Sequence, residues 1–342
     1  MKHMKTLTKI LAISMILVPT IAYSQLNVVK TEKTPLQEGA TTLFDSMNKH
    51  NVFNTIEIGA NIGTTGLGLE LASPMTDWAK LRVGVDWMPN FTIPMNFGID
   101  SYVNGQVNDK FGKIQDIMYG MTGMTIDKEI QMESKPTMTT MRVLVDVYPF
   151  KNNRHWHFTA GFFYGGNSVG KSLNKMEEMP TLLALNMYDR MYQSITSEDF
   201  IDNIIDNPIF NDIYLDPEIA IELQEQFLSL GRLGVHVGDF KDGTPYMMMP
   251  DKDGTVSAKA KVNRFRPYVG FGYGGALTSD GKWQVSFDAG VQFWGGVPKV
   301  TTHDGTVLND LDNLRGKVGD YMDLMKLIPV FPTIDFRISY RF

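Results

Sequence analysis

The final stretch of the chain, Ile334 to Phe342, alternates without interruption: Ile334, Phe336, Ile338, Tyr340 and Phe342 share one face of a strand, and Asp335, Arg337, Ser339 and Arg341 share the other. Seven further segments show the same two-residue period. Their apolar sets begin with Ile56–Ile62, Leu67–Leu71, Leu81–Trp87 and Met141–Val147, and continue with Trp156–Tyr164, Phe265–Tyr273 and Trp283–Phe293. The pattern predicts an all-β protein, an eight-stranded antiparallel up-and-down barrel over 54–342. Eight is even, as single-chain bacterial membrane barrels require.

Alternation alone does not say which face points outward, since a soluble barrel also alternates. Three features predict a transmembrane barrel with its apolar face toward lipid. The apolar faces carry no charge, whereas the opposite faces hold charges and many glycines, which suit a narrow interior. Trp78, Trp156 and Trp283 each follow a polar turn, at the level of an interfacial aromatic girdle. The connections 98–137, 167–263 and 295–331 are long and those between them short, the pattern of long extracellular loops and short periplasmic turns.

The N-terminus agrees. Lys2, Lys5 and Lys9 precede a short apolar run, and Ala22-Tyr23-Ser24 reads as a cleavage site, so 1–24 is expected to be a secretory signal. Residues 25–53 are expected to form a periplasmic segment or a plug for the lumen. The formal charge is −6, and loss of the three signal lysines takes the mature chain to −9, a poor match for nucleic acid. Cysteine is absent, which excludes disulfides and thiolate metal sites.

The segments Gly66-Leu-Gly-Leu-Glu-Leu71, Leu81-Arg-Val-Gly-Val-Asp-Trp87, Val147-Tyr-Pro-Phe150, Arg266-Pro-Tyr-Val-Gly-Phe-Gly272 and the terminal strand resemble small outer-membrane β-barrel proteins of the OmpA-like type, in a version similar to those of Bacteroidetes. The resemblance covers the eight strands. It implies the bacterial outer membrane, with both termini periplasmic, outer-membrane lipid around the wall, and recognition of the C-terminal strand by the barrel-insertion machinery. It implies no shared activity.

The segment 167–263 is too long for a structureless loop and reads as a partly helical insertion between strands five and six. Helices are expected over Pro180–Tyr192, after a Thr196/Asp199 capping box, and after the Asp216-Pro217 start signal; another is expected around Phe111–Met121. The insertion holds 16 acidic and 8 basic residues. It reads as an acidic cap, self-packed or offering a surface to an extracellular protein or glycan.

Candidate chemistry is sparse. Gly270, Gly272 and Gly275 match a dinucleotide-loop spacing but lie in a strand with no helix after it. His155 and His157 share a face without a carboxylate tied to them by sequence, and Asp251-Lys-Asp253-Gly254 reads as a turn. His236 and His303 have Asp239 and Asp304 nearby, but no nucleophile accompanies them. No cofactor, metal or catalytic residue is expected. The informative set is the lumen charges: Arg82, Arg142, Arg266, Arg337 and Arg341 against Glu57, Glu70, Asp86, Asp146, Asp288 and Asp335. These are expected to pair as a network that fills and closes the lumen. A narrow channel and a barrel enzyme acting on lipid or peptide are the alternatives.

Overall fold

The computed structural model describes residues 52–206, 216–315, 318–320, 322–323 and 330–342. The expected signal sequence, and the N-terminal segment up to residue 51, lie outside the described residues. Eight strands close a barrel: β1 (Glu57–Gly63), β2 (Gly66–Thr76), β3 (Ala79–Trp87), β7 (Thr139–Val147), β8 (Trp156–Gly165), β13 (Phe265–Ala276), β14 (Trp283–Phe293) and β16 (Val330–Arg341). Each pairs antiparallel with the next in chain order. β16 closes the ring on β1, with Ile58 opposite Tyr340 and Asn61 opposite Arg337.

The wall is inverted relative to a soluble protein. Outward-facing Ile58, Leu69, Val85, Phe158, Phe271, Phe287 and Phe336 are exposed, while inward-facing Glu70, Asp86, Arg142 and Asp146 are buried. Leaving each such apolar side chain in water forfeits about 1.5–3 kcal/mol, a loss removed when the wall faces lipid. Aromatic side chains mark both rims. Near the short turns Trp156 meets Tyr273 edge-on with ring centroids 5.0 Å apart, and Trp283 meets Tyr340 at 5.2 Å. Exposed Trp87, Tyr164, Phe265 and Phe293 mark the other rim. At the usual rise and tilt, the run from Trp283 to Phe293 spans about 25 Å along the barrel axis.

Above that second rim the long connections build a second sheet, which the sequence pattern had not predicted. Its strands are β4 (Ile93–Val103), β5 (Gln106–Asn108), β6 (Glu129–Pro136), β9 (Ser168–Asn174), β10 (Arg232–Asp239), β11 (Pro245–Met248), β12 (Ser257–Lys261) and β15 (Lys299–Thr302). The order is β11-β10-β4-β6-β9-β12-β15, with β5 paired to β4. Five of these continue five adjacent barrel strands in the same order: β4 above β3, β6 above β7, β9 above β8, β12 above β13 and β15 above β14. Hydrogen bonds across the junction, such as Val262 N to Asn167 O and Gly165 N to Arg264 O, carry the pairing from one sheet toward the other. The cap is thus an extension of one side of the wall.

Polarity inverts at the junction. β7 turns Met141 and Val143 outward, whereas β6, which leads into it, buries Ile130 and Met132 at the opposite parity. The apolar face of the cap sheet therefore continues the side that is polar in the barrel. Helices cover it: α1 (Phe111–Thr122), α2 (Met179–Ile195) and α4 (Pro217–Leu230) bring Ile114, Met118, Leu182, Leu185, Tyr188 and Phe227 against Ile99, Ile130, Leu233 and Val235. A shorter helix, α3 (Phe200–Asp206), precedes α4.

The Asp216 side chain caps α4 by accepting from Glu218 N at 2.9 Å, with Pro217 in the first turn. The expected capping role of Thr196 is different: its hydroxyl donates to Tyr192 O at 2.7 Å and closes the end of α2 instead of opening the next helix.

Candidate functional site

The barrel interior is the largest concentration of ionised side chains. Glu70 sits between two guanidinium groups, 2.8 Å from Arg142 Nη2 and 2.8 Å from Arg337 Nη1. Arg142 also lies 3.6 Å from Asp86 and donates to Asn61, whose amide donates to Asp86 at 2.9 Å. On the other side Arg337 Nε donates to Ser286 Oγ at 2.8 Å, and Ser286 Oγ donates to Asp288 at 3.1 Å. Arg82 then bridges Asp288 at 3.3 Å and Asp146 at 3.0 Å, and Thr159 donates to Asp146 at 2.8 Å. The chain of contacts crosses every barrel strand except β13.

β13 contributes space. A side chain at Gly272 would place its Cβ 2.4 Å from His157 Nε2, which reaches Asp288 at 2.7 Å across that gap. Gly68 on β2 likewise leaves room for the Asp86 and Asn61 side chains. Tight packing leaves the central groups, Arg82, Asp86, Arg142, Asp146 and His157, no more than 2 % exposed.

Nine of the eleven residues singled out from sequence lie in ion pairs. Glu57 holds Arg341 at 2.7 Å and Lys80 at 2.9 Å near the short-turn mouth. Lys80 was missed, although it stands at the parity of Arg82 and Asp86, two residues before Arg82. The remaining two stand apart. Asp335 accepts from Thr65 at 3.4 Å, and Arg266 contacts Met138 Sδ at 3.3 Å with no carboxylate partner among the described residues. A polar cavity of about 460 Å³ opens at the short-turn end, lined by Glu57, Lys80, Arg154, His155, Arg337 and Arg341 among others.

Asp146, His157 and Asp288 bring one ligand atom each within 4.8 Å of the others, a spacing that suits a metal. The Arg82 guanidinium bridges the two carboxylates, so the cation they require is already present. His155 does not join them: it is exposed, stacks on Tyr273 and contacts Gly274 O at 2.8 Å. Gly270 and Gly272 lie within β13, and Asp251 closes a tight turn by accepting from Asp253 N and Thr255 N.

In the cap, buried His236 contacts Asp239 at 3.2 Å through Nε2, and Asp100 at 3.3 Å and the Tyr102 hydroxyl through Nδ1. Burial alone would raise the Asp239 carboxyl, but hydrogen bonds from Asn313 and His236 hold it below its ordinary range. Burial and the neighbouring Asp100 push the Tyr102 phenol upward. Ser101, between Asp100 and Tyr102, donates to Leu230 O at 2.6 Å and is not bonded to this histidine. His303 is structural, its Nε2 2.8 Å from Met249 O, while Asp304 accepts from Tyr246 at 2.7 Å. A second, apolar cavity of about 290 Å³ lies on the helix-covered side of the cap sheet, against Met95, Met132, Val237, Met248, Ala260 and Leu308.

No protein-family model and no curated protein matches the chain. Among solved structures it is similar to CarO2 and CarO of Acinetobacter baumannii, at 14% and 12% identity with TM-scores of 0.36 and 0.35. A major outer membrane protein of Thermus thermophilus matches at 11% identity and a TM-score of 0.25. Each comparison covers 84% of this chain and 98% of the other. Likeness this distant carries no functional information.

Proposed function

We propose that the protein is a non-enzymatic barrel of the bacterial outer membrane, closed through its centre, with both termini periplasmic and the α/β cap on the cell surface. The observation that carries this reading is the interior. Side chains along a water-filled channel keep accessible surface, whereas the central ions of this lumen keep almost none. Eight strands leave space for their own side chains and little more, so solute passage is disfavoured. The apolar outer wall and its two aromatic rims support a membrane setting. The cap lies at the end away from the short turns, which supports the orientation.

A structural or surface-recognition role fits a closed barrel that carries a cap with its own core. Exposed Ile221 and Leu228, two turns apart on one face of α4, favour a protein partner for that cap. The absence of cysteine allows a clean test of orientation. Met176→Cys places a thiol on the cap, and Asn152→Cys places one in the short turn between β7 and β8. A membrane-impermeant maleimide is expected to label the first on intact cells and the second only after permeabilisation. The reverse order would overturn the orientation.

A further inference from the structure

Five lysines lie along the lower edge of the cap, on the face opposite its apolar core. Lys135 of β6 is the direct cross-strand partner of Lys171 of β9, and Lys171 is the partner of Lys259 of β12. One row lower, Lys261 of β12 faces Lys299 of β15. All five are exposed. Met132, Asn174, Val256 and Thr302, next to or on the same strands, are buried, and the lysines stand an odd number of positions from them. Strand alternation therefore puts the lysines on the outer surface.

Like charges directly opposite one another in a sheet are destabilising, and here two such contacts follow in one row. Among the described residues a single carboxylate pairs with the stripe, Glu133 at 3.0 Å from Lys135. The setting makes this more pointed, because 167–263 carries 16 acids against 8 bases, and three of those bases are Lys171, Lys259 and Lys261. Positive charge is segregated here in an otherwise acidic cap.

The height of the stripe suggests what balances it. Lys261 stands four residues before Phe265, an exposed aromatic at the rim of the apolar wall, and both have outward parity. At the usual rise and tilt that is about 10 Å above the rim, with the row of Lys135, Lys171 and Lys259 about 5 Å higher. Lysine stems directed down the wall bring their ammonium groups toward a headgroup layer that itself stands above the apolar band. Resting on the membrane reading above, we infer that this stripe binds the phosphates of lipid headgroups in the leaflet next to the cap. Clustered lysines at a membrane surface attract anionic lipid in this way.

The test uses the full mature chain in neutral maltoside micelles, with diphosphoryl lipid A, the same lipid stripped of its phosphates, and inorganic phosphate as probes. Native mass spectrometry reads bound lipid. The wild type is expected to bind the diphosphorylated lipid at least about tenfold tighter than the stripped one, with each lysine contributing on the order of fivefold. Lys171→Gln/Lys259→Gln/Lys261→Gln is expected to lose the preference, and Lys241→Gln/Lys252→Gln, altered elsewhere on the cap, to keep it. Circular dichroism melting in lipid-free micelles is expected to show the triple variant at least as stable as the wild type, since repulsion is relieved. If the triple variant fails to fold, Lys259→Gln alone is read, with about a fivefold loss expected.

Equal binding of the two lipids by the folded wild type, unchanged binding by the variants, or equal competition from inorganic phosphate would overturn the stripe while leaving the barrel reading intact. A mature chain that stays soluble without detergent would overturn both.

Discussion

Replacing Arg82 with leucine is expected to cost the barrel about 3–5 kcal/mol, the largest loss from any single lumen substitution. Arg82 is the shared cation of Asp146 and Asp288, at 3.0 and 3.3 Å, and all three are nearly inaccessible. Its removal leaves two buried carboxylates without their shared cation, Asp146 with Thr159 and Asp288 with Ser286 and His157 as the remaining partners. The value of the pair in isolation is a separate matter, because desolvating the ions offsets much of their attraction. What the substitution measures is the penalty of orphaned charge. Arg341→Leu supplies the contrast. Arg341 also pairs with a carboxylate, at 2.7 Å, but its side chain is 40 % exposed, and its loss is expected to cost no more than about 1 kcal/mol. Urea unfolding midpoints of the two variants in the same micelles decide the point. Equal losses would mean that the lumen is wet.

The second large effect lies in the cap. Leu185→Ala removes a fully buried side chain of α2 and is expected to destabilise the cap by about 2–5 kcal/mol. The main core cluster consists of cap side chains, whereas the small apolar cluster in the barrel is Leu144, Phe163 and Tyr268. The two are therefore expected to lose stability separately. Limited proteolysis is expected to open the cap of this variant at denaturant levels where the folded barrel, followed by its heat-modifiable electrophoretic mobility, is unchanged. Simultaneous loss of both would show that the wall and its extension form one cooperative unit.

The barrel was legible because an apolar outer face and an ionic interior drive alternation to its extreme: no apolar face of a barrel strand carries a charge. The lumen partners were legible as a set, since parity assigns a side chain to the interior. Which residues meet was not, because Glu70, Arg142 and Arg337 converge from strands remote in sequence. For the same reason nothing in the sequence marked Arg266 as having no carboxylate partner among the described residues.

The cap sheet was hidden for a different reason. β10 is buried at nearly every position, and β11 and β15 have four residues each, so neither period nor length separates them from loops. β10 pairs with β4 across a wide gap in the chain, Arg232 opposite Tyr102, which no local pattern announces. The helices, by contrast, carried local signals. Asp216-Pro217 fixed the start of α4, and Thr196 misled because a threonine can close the helix behind it as readily as open the one ahead. In the same way His236 with Asp239 lay within one strand, while Asp100 and Tyr102 came to that histidine through sheet pairing alone.

Single-channel recording of the purified wild-type chain in planar bilayers tests the interlocked interior most directly. A lumen occupied by its own arginines and carboxylates predicts current at the baseline of the protein-free membrane across the accessible voltage range. Discrete, reproducible conductance steps from the folded wild type would contradict it.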